Sequence, residues 1–111
     1  MSTTAPEIDV ATQDFLRALA SETRQQILQL FVGDLELSVG EVAERAGLGQ
    51  STASEHLTLM RRAGLLESNR NGKTVRYRVD SRRMADQLDQ LKAYLIRCCP
   101  PRADRGGRRA S

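Results

Sequence analysis

The chain changes its hydrophobic period once, at Gly64, and this change constrains the fold more than any other feature of the sequence. Before Gly64, apolar residues recur three or four positions apart, which is the spacing of helices that bury one face. Beyond it lies Asn71-Gly72, a pair typical of a tight β-hairpin because both residues tolerate positive φ. From Thr74 to Val79 polar and apolar residues alternate, so the sequence predicts a strand with one buried and one basic face.

Four helices are predicted before the change and one after it. The first covers about residues 8–20, and the second follows the N-cap Ser21 and ends at Gly33. The third opens at a capping box, Ser38 to Glu41, and stops at Gly47, and the fourth runs from about 50 to 62. Further elements are a strand at Leu65–Arg70 and a last helix from the cap pair Asp80-Ser81 to about residue 98. The predicted fold class is mainly α with a small β-hairpin, in the order α-α-α-α-β-β-α.

The length of 111 residues fits one domain, which we place at residues 8–99. Residues 1–7 and the Arg/Gly-rich tail 100–111 are expected to be disordered. No apolar stretch approaches the roughly 18 residues of a membrane span, and the N-terminus lacks the basic and apolar regions of a signal peptide. Two adjacent cysteines do not make a disulfide framework. We therefore expect a cytoplasmic protein with no membrane partner.

The net charge of +3 conceals a polarised chain. Residues 1–50 contain three basic and eight acidic residues, whereas residues 51–99 contain ten basic and five acidic residues. The tail adds four arginines and one aspartate. A basic second half is the electrostatic footprint expected of a surface that follows phosphates. A charged face that only contacts solvent would give the same distribution of charge along the sequence.

The order of elements predicts a winged helix-turn-helix domain that binds double-stranded DNA. A helix fits the major groove and reads base edges, while a hairpin reaches flanking phosphates or the minor groove. We call the fourth helix the reading helix and the hairpin the wing. The predicted contacts of the reading helix are Gln50, Ser51, Thr52, Ser54, Glu55, His56, Arg61 and Arg62, and those of the wing are Arg70, Lys73, Arg76 and Arg78. Glu55 would repel phosphate, so we expect it to accept from a cytosine amino group or to orient an arginine.

Other function classes find less support in the residues. The sequence has no Gly-rich phosphate loop, no His near Cys98 and no carboxylate pair at motif spacing, so we predict that it is not an enzyme. A winged helix that binds RNA or docks on a protein is the remaining rival, because the fold alone does not determine function. RNA readers usually stack bases on aromatic side chains, and this chain has only two Tyr and two Phe.

Two stretches resemble the ArsR/SmtB family of bacterial regulators. They are the segment Phe15–Arg24 with Ile27-Leu28, and the segment Gln50–Leu57 followed by Leu59, Arg61, Ala63–Leu66 and the wing from Gly72 to Tyr77. The resemblance covers about residues 10–97 and implies a homodimer built on the first and last helices. It further implies binding to inverted repeats near metal-handling genes and release of DNA when an effector binds.

Heptad-like spacing in the last helix agrees with that dimer. Its apolar residues stand four and three positions apart in turn, which is the rhythm of a helix that packs along another helix. The predicted dimer contacts are Phe15, Leu19, Met84, Leu88, Leu91 and Leu95.

The metal sites of the family are largely missing. Ser38 and Gly40 replace the two cysteines of the third-helix site, and the last-helix site falls on Ser81, Arg83, Tyr94 and Arg97. Cys98 and Cys99 match a further site for thiophilic ions, but no third Cys follows. They remain candidate ligands for arsenite, zinc or nickel. Alternatively, Cys98 is a buried contact of the dimer helix, the pair acts in thiol redox chemistry, or a separate protein senses the effector. Adjacent cysteines are expected to bridge poorly within one helix.

Overall fold

The computed structural model describes residues 6–102, so most of the two segments predicted to be disordered lies outside the described residues. Its elements are α1 (Val10–Leu19), α2 (Glu22–Gln29), β1 (Leu37–Ser38), α3 (Val39–Ala46), α4 (Gln50–Arg62), β2 (Leu66–Asn71), β3 (Thr74–Val79) and α5 (Ser81–Cys98). The predicted order of four helices, a hairpin and a last helix is confirmed. One element, the strand β1, was not predicted.

Side-chain caps determine where the helices begin. Three predicted N-caps are confirmed, each accepting a hydrogen bond from the backbone N–H three residues on: Ser21, Ser38 and Asp80. The Ser38 cap is a complete capping box, because the Glu41 carboxylate accepts from the Ser38 N–H at 2.8 Å. α1 begins at Val10, later than predicted, because Asp9 is its N-cap and accepts from the Thr12 N–H at 2.8 Å. This hydrogen bond lowers the pKa of Asp9.

α2 ends earlier than the sequence suggested. Its C-cap is Leu30, whereas the predicted terminator Gly33 lies in the loop that follows. A tightened turn of the 3₁₀ type follows, in which the N–H groups of Leu30 and Phe31 donate to carbonyls three residues back, at 3.0 and 3.2 Å. The tightened turn directs Phe31 into the core, where 7% of it is exposed.

The hairpin belongs to a three-stranded antiparallel sheet in the order β1-β3-β2. β1 pairs Leu37 with Tyr77 and Ser38 with Arg76, so the segment before α3 lies along the wing. A strand of two residues has no alternation to recognise, which explains why the sequence did not predict it.

The turn of the hairpin is displaced by one position from the predicted pair. Asn71 still pairs with Thr74, so the two-residue connection is Gly72-Lys73. Gly72 has a φ of 67°, and a positive φ at the first connecting position is the pattern of a type II′ turn. The resulting register places Glu67 directly opposite Arg78.

One hydrophobic core joins the first four helices to the sheet. Its largest fully buried side chains are Phe15, Ile27, Leu37, Val42, Leu57, Met60, Leu65 and Leu66. α5 contributes no buried residue, and among its apolar side chains Met84 packs at the edge of this core. α5 also contacts α1, where the Thr12 hydroxyl donates to the Gln87 side-chain oxygen at 3.0 Å. Within residues 6–102, no helix is long and apolar enough to cross a membrane.

Candidate nucleic-acid interface

The turn between α3 and α4 presents the start of the reading helix. Gly47 ends α3 with a φ of 68°, and the Leu48 N–H returns to the Ala43 carbonyl at 2.9 Å. α4 then begins at Gln50 behind Gly49, which offers no side-chain cap. The N–H groups of the first turn therefore remain available to an acceptor such as a phosphate oxygen.

α4 divides cleanly into a buried and an exposed face. Ala53, Leu57 and Met60 are the residues that it buries in the core. The predicted contacts that are exposed are Gln50, Ser51, Thr52, Glu55, Arg61 and Arg62. Ser54 and His56 are half-buried, so they lie at the border between the two faces.

His56 points one ring nitrogen into the protein. Its Nδ1 lies 3.3 Å from an Nη1 of Arg24 on α2. A guanidinium has no acceptor, so in this hydrogen bond Arg24 donates and the imidazole Nδ1 accepts. Sequence reasoning placed His56 among the DNA contacts and did not anticipate this partner, 32 positions away.

The cations of the wing fall into two groups. Arg70 and Lys73 are exposed at the tip, and neither forms an ion pair within residues 6–102. Arg78 lies lower on the wing and donates to the Glu67 carboxylate at 2.7 Å. This hydrogen bond raises the pKa of Arg78. The tip is therefore the part of the wing with uncompensated positive charge.

Arg76 is also partly compensated, in a way that connects the wing to α3. Its Nη1 lies 3.5 Å from the Glu41 carboxylate and 3.4 Å from the Glu36 carbonyl. The N–H of Ser38 holds the pKa of Glu41 below its ordinary value, and the charge of Arg76 lowers it further. The Glu67–Arg78 pair follows from the hairpin register, whereas the Arg76–Glu41 contact depends on the packing of β3 against α3.

A groove of about 520 Å³ runs between α1 and α4. Its lining residues are Asp14, Arg17, Ser54, Glu55, Thr58, Leu59, Arg62 and Ala63. Arg17 donates to Asp14 at 2.9 Å on the α1 side, and both side chains are exposed. The groove therefore borders the face of α4 that carries Glu55 and Arg62.

The predicted dimer residues do not all lie on one surface. Phe15 is 0% exposed and belongs to the core of its own chain, so its assignment to the dimer interface is wrong. It faces inward because it lies three positions from both Thr12 and Ala18, the other buried residues of α1, and residues at this spacing share one face of a helix. Leu88 and Leu95 are each 52% exposed, and Leu19, Met84 and Leu91 are half-buried.

Two exposed apolar residues near that surface were not predicted. Val10 at the start of α1 is 70% exposed, and Ile96 near the end of α5 is 49% exposed. The second could have been found from the sequence, because Ile96 directly follows Leu95 and widens the apolar stripe of α5.

The sulfur atoms of Cys98 and Cys99 lie in contact at the end of α5. α5 ends at Cys98 and Cys99 has left the helical conformation, with φ −148° and ψ 72°, so the two cysteines do not lie within one helix, the arrangement for which poor bridging was expected. A disulfide between them would leave neither sulfur as a thiolate ligand for a metal ion. Within residues 6–102, no group of three or more His, Cys, Asp or Glu side chains is placed to hold one.

An exposed helix after a tight turn, followed by a basic hairpin, defines a winged helix-turn-helix DNA-binding domain. A helix-turn-helix domain family matches residues 19–69. The transcriptional activator HlyU of Vibrio cholerae is 41% identical over 76 residues, which are 68% of this chain and 69% of that protein. A probable mercury resistance operon repressor of Streptomyces lividans is 40% identical over 87 residues, covering 78% of this chain and 65% of the relative.

The solved structures include one of a homodimeric winged helix-turn-helix DNA-binding domain from Mycobacterium bovis, described as a possible ArsR-family regulator. It has a TM-score of 0.60 and 31% identity, and covers 77% of this chain and 80% of its own. The chain belongs to the ArsR family of transcriptional regulators. It is therefore a DNA-binding regulator and not an enzyme, as the sequence predicted. Its relatives include an activator and a repressor, so membership leaves the direction of regulation open.

Proposed function

We propose that the protein binds an inverted-repeat operator as a homodimer and regulates transcription there. The observation that carries this proposal is the division of α4, which leaves a polar face exposed beside a wing with a basic tip. The helix would enter the major groove while the tip follows the phosphates. In a dimer, two reading helices would lie about one DNA turn apart, roughly 34–36 Å.

The proposed contacts fall into two classes. Gln50, Ser51, Thr52 and Glu55 stand on the first turns of α4, where hydrogen bonds to base edges would set sequence preference. Among the predicted contacts, four cations form no ion pair within residues 6–102, and these would contact phosphates: Arg61, Arg62, Arg70 and Lys73. Arg76 and Arg78 contribute less, because Glu41 and Glu67 already compensate much of their charge. Ser54 and His56 are half-buried, and we propose that they support α4 as well as contact DNA.

The homodimer is supported by the surface of α5. Leu88, Leu95 and Ile96 remain about half exposed on an amphipathic helix of 18 residues that buries none of them within its own chain. Such a stripe on a helix is typical of a surface that packs against another helix. Leu19, Met84 and Leu91 extend it toward α1.

The salt dependence of DNA binding tests the phosphate contacts. The slope of log K against log salt reports the number of phosphates neutralised, about 0.9 per contact. Arg70→Ala and Lys73→Ala should each reduce the magnitude of that slope by about 1.8, because a homodimer contains two copies of each residue, and Arg78→Ala by less, because its charge is already paired. Arg97→Ala on α5 is the matched control, since it removes an exposed cation that lies outside the proposed DNA contacts and, seven positions from Gln90, away from the apolar stripe of α5. Equal effects of all four variants would contradict the assignment of the wing.

A competition experiment separates duplex DNA from the rival partners. The protein is mixed with a duplex of its own upstream region, and structured RNA or single-stranded DNA of the same sequence is added as competitor. Duplex DNA should be retained in preference to both. Preference for the RNA would support an RNA-binding module, and failure to bind any nucleic acid would support a protein-docking module.

The proximity of the Cys98 and Cys99 sulfurs supports a second proposal, that thiol redox chemistry modulates DNA binding. Two thiols would lose two protons and two electrons to a low-molecular-weight disulfide, such as oxidised glutathione, which becomes two thiols. The pair ends α5, next to the exposed Leu95 and Ile96, so a change there would act on the proposed dimer surface. The reduced pair would also offer two thiolates to a thiophilic ion such as arsenite.

The effector proposal is tested with reduced and oxidised protein. Operator affinity of the natural chain should differ between the two states, and Cys98→Ser/Cys99→Ser should bind equally with or without dithiothreitol. Arsenite and zinc are added to the reduced protein in separate experiments, and a response to either should be lost in the same variant. If the natural chain responds to none of these treatments, a separate sensing protein becomes the better explanation.

A further inference from the structure

The end of α1 is capped by side chains from α2. The last carbonyls of a helix have no partner within it, and here Arg24 Nη2 donates to the Arg17 carbonyl at 3.2 Å and Arg24 Nε to the Ala18 carbonyl at 2.9 Å. Gln25 donates to the Leu19 carbonyl at 2.7 Å. Arg24 and Gln25, two neighbouring residues of α2, therefore cap the C-terminal end of α1.

Arg24 differs from Gln25 because it also reaches the reading helix. Its remaining nitrogen, Nη1, donates to His56 Nδ1 at 3.3 Å, on the second turn of α4. One planar guanidinium, whose donors are held in a rigid fork, thus joins the end of α1 to α4. Both Arg24 and His56 are half-buried, so solvent competes less for this contact than for a surface pair.

We propose that Arg24 is a positioning residue, which sets the orientation of the reading helix relative to α1 through His56. The inference rests on the proposed function, in which α1 lies beside the dimer surface and α4 enters the DNA. An inverted repeat is recognised only if both reading helices have the correct separation and angle. Arg24 lies outside the proposed DNA contacts, and by holding α4 relative to α1 it would keep the two reading helices at the separation and angle that the operator requires.

The first test compares Arg24→Ala with Gln25→Ala. The DNA is a duplex that the natural protein selects from a random pool, and a scrambled duplex of the same composition measures non-specific binding. Arg24→Ala should weaken binding to the selected duplex about tenfold, equivalent to one lost hydrogen bond of a charged group, and change non-specific binding less than twofold. Gln25→Ala removes a cap of the same helix end and should change neither affinity by more than about twofold.

Three outcomes of this binding experiment would contradict the inference about Arg24. If Arg24→Ala weakens both duplexes equally, the residue supplies only charge or stability, and the inference fails. If Gln25→Ala loses as much specific binding as Arg24→Ala, capping of α1 explains the effect and the inference also fails. If the natural protein selects no duplex, the proposed function itself is wrong and the inference falls with it.

A double-mutant cycle tests the route through His56. In the His56→Leu background, which lacks the acceptor, Arg24→Ala should change specific binding less than twofold. In the His56→Asn background, where an amide oxygen can replace Nδ1, Arg24→Ala should still weaken specific binding severalfold. Equal losses in the natural, Leu and Asn backgrounds would refute the coupling. Should Arg24→Ala not fold, as judged by circular dichroism, Arg24→Lys is used, since one ammonium cannot span three acceptors.

Discussion

Truncation of the exposed leucines of α5 should dissociate the dimer while leaving the protomer folded. Leu88 and Leu95 are each 52% exposed and lie outside the core. Full burial of a leucine is worth about 1.5–3 kcal/mol, so burying the exposed half in a dimer contributes about 1 kcal/mol per side chain. A symmetric dimer contains two copies of each residue. Leu88→Ala/Leu95→Ala should therefore weaken association by about 3–4 kcal/mol, which is two to three orders of magnitude in Kd.

Sedimentation equilibrium over a range of protein concentrations measures this Kd directly. Gln90→Ala is the matched control, because it truncates an exposed residue of α5 two positions from Leu88, on a different face of the helix. The helical content of the double variant at low concentration should match that of the natural protein. A monomeric natural protein, or a double variant whose Kd equals that of Gln90→Ala, would refute the reasoning.

Two further predictions concern stability. The lowered pKa of Glu41, caused first by the Ser38 N–H, means that its contribution to stability is present above the ordinary pKa of a glutamate and is lost as the pH falls through the lowered pKa. In urea unfolding, the gap in midpoint between the natural protein and Glu41→Gln should therefore shrink as the pH falls below the ordinary pKa of a glutamate, and a constant gap would contradict this. Gly64→Ala should destabilise by at least about 1 kcal/mol, because Gly64 has a φ of 90° and its Cβ would lie 2.8 Å from Arg83 Nε. Gly40→Ala, inside α3, where the backbone is helical and an added Cβ would meet only the Ser38 hydroxyl at 4.0 Å, should cost far less, and equal costs would exclude this explanation.

Much of the fold could be predicted because its signals are local. The capping box from Ser38 to Glu41 joins residues three positions apart, and the structure confirms both of its hydrogen bonds. The reading helix has the predicted bounds, from Gln50 to Arg62, because its periodicity and the glycines around it are read directly from the chain. The errors at the ends of α1 and α2 are also local, and arise from a cap at Asp9 and a tightened turn at Leu30.

The candidate site was predicted less completely, because charge alone does not show which cations are free. Arg70, Lys73, Arg76 and Arg78 look alike in the sequence, yet the last two are paired with acids in the folded chain. The partner of Arg76 is 35 positions away, on a helix whose packing against the wing the sequence does not specify. The sequence likewise grouped Phe15 with the residues of α5, since helical spacing identifies an apolar face but not the element that covers it.

The sequence by itself determined the order of the elements and the ends of most of them, because caps, turns and periodicity act within a few residues along the chain. It also determined the family, through segments that are contiguous in the chain. Only the tertiary structure decided that Phe15 lies in the core while Leu88 is exposed, and that Arg24 joins α1 to His56. These contacts bring together residues that are distant in the chain, and they exist only once the helices pack at particular distances and angles.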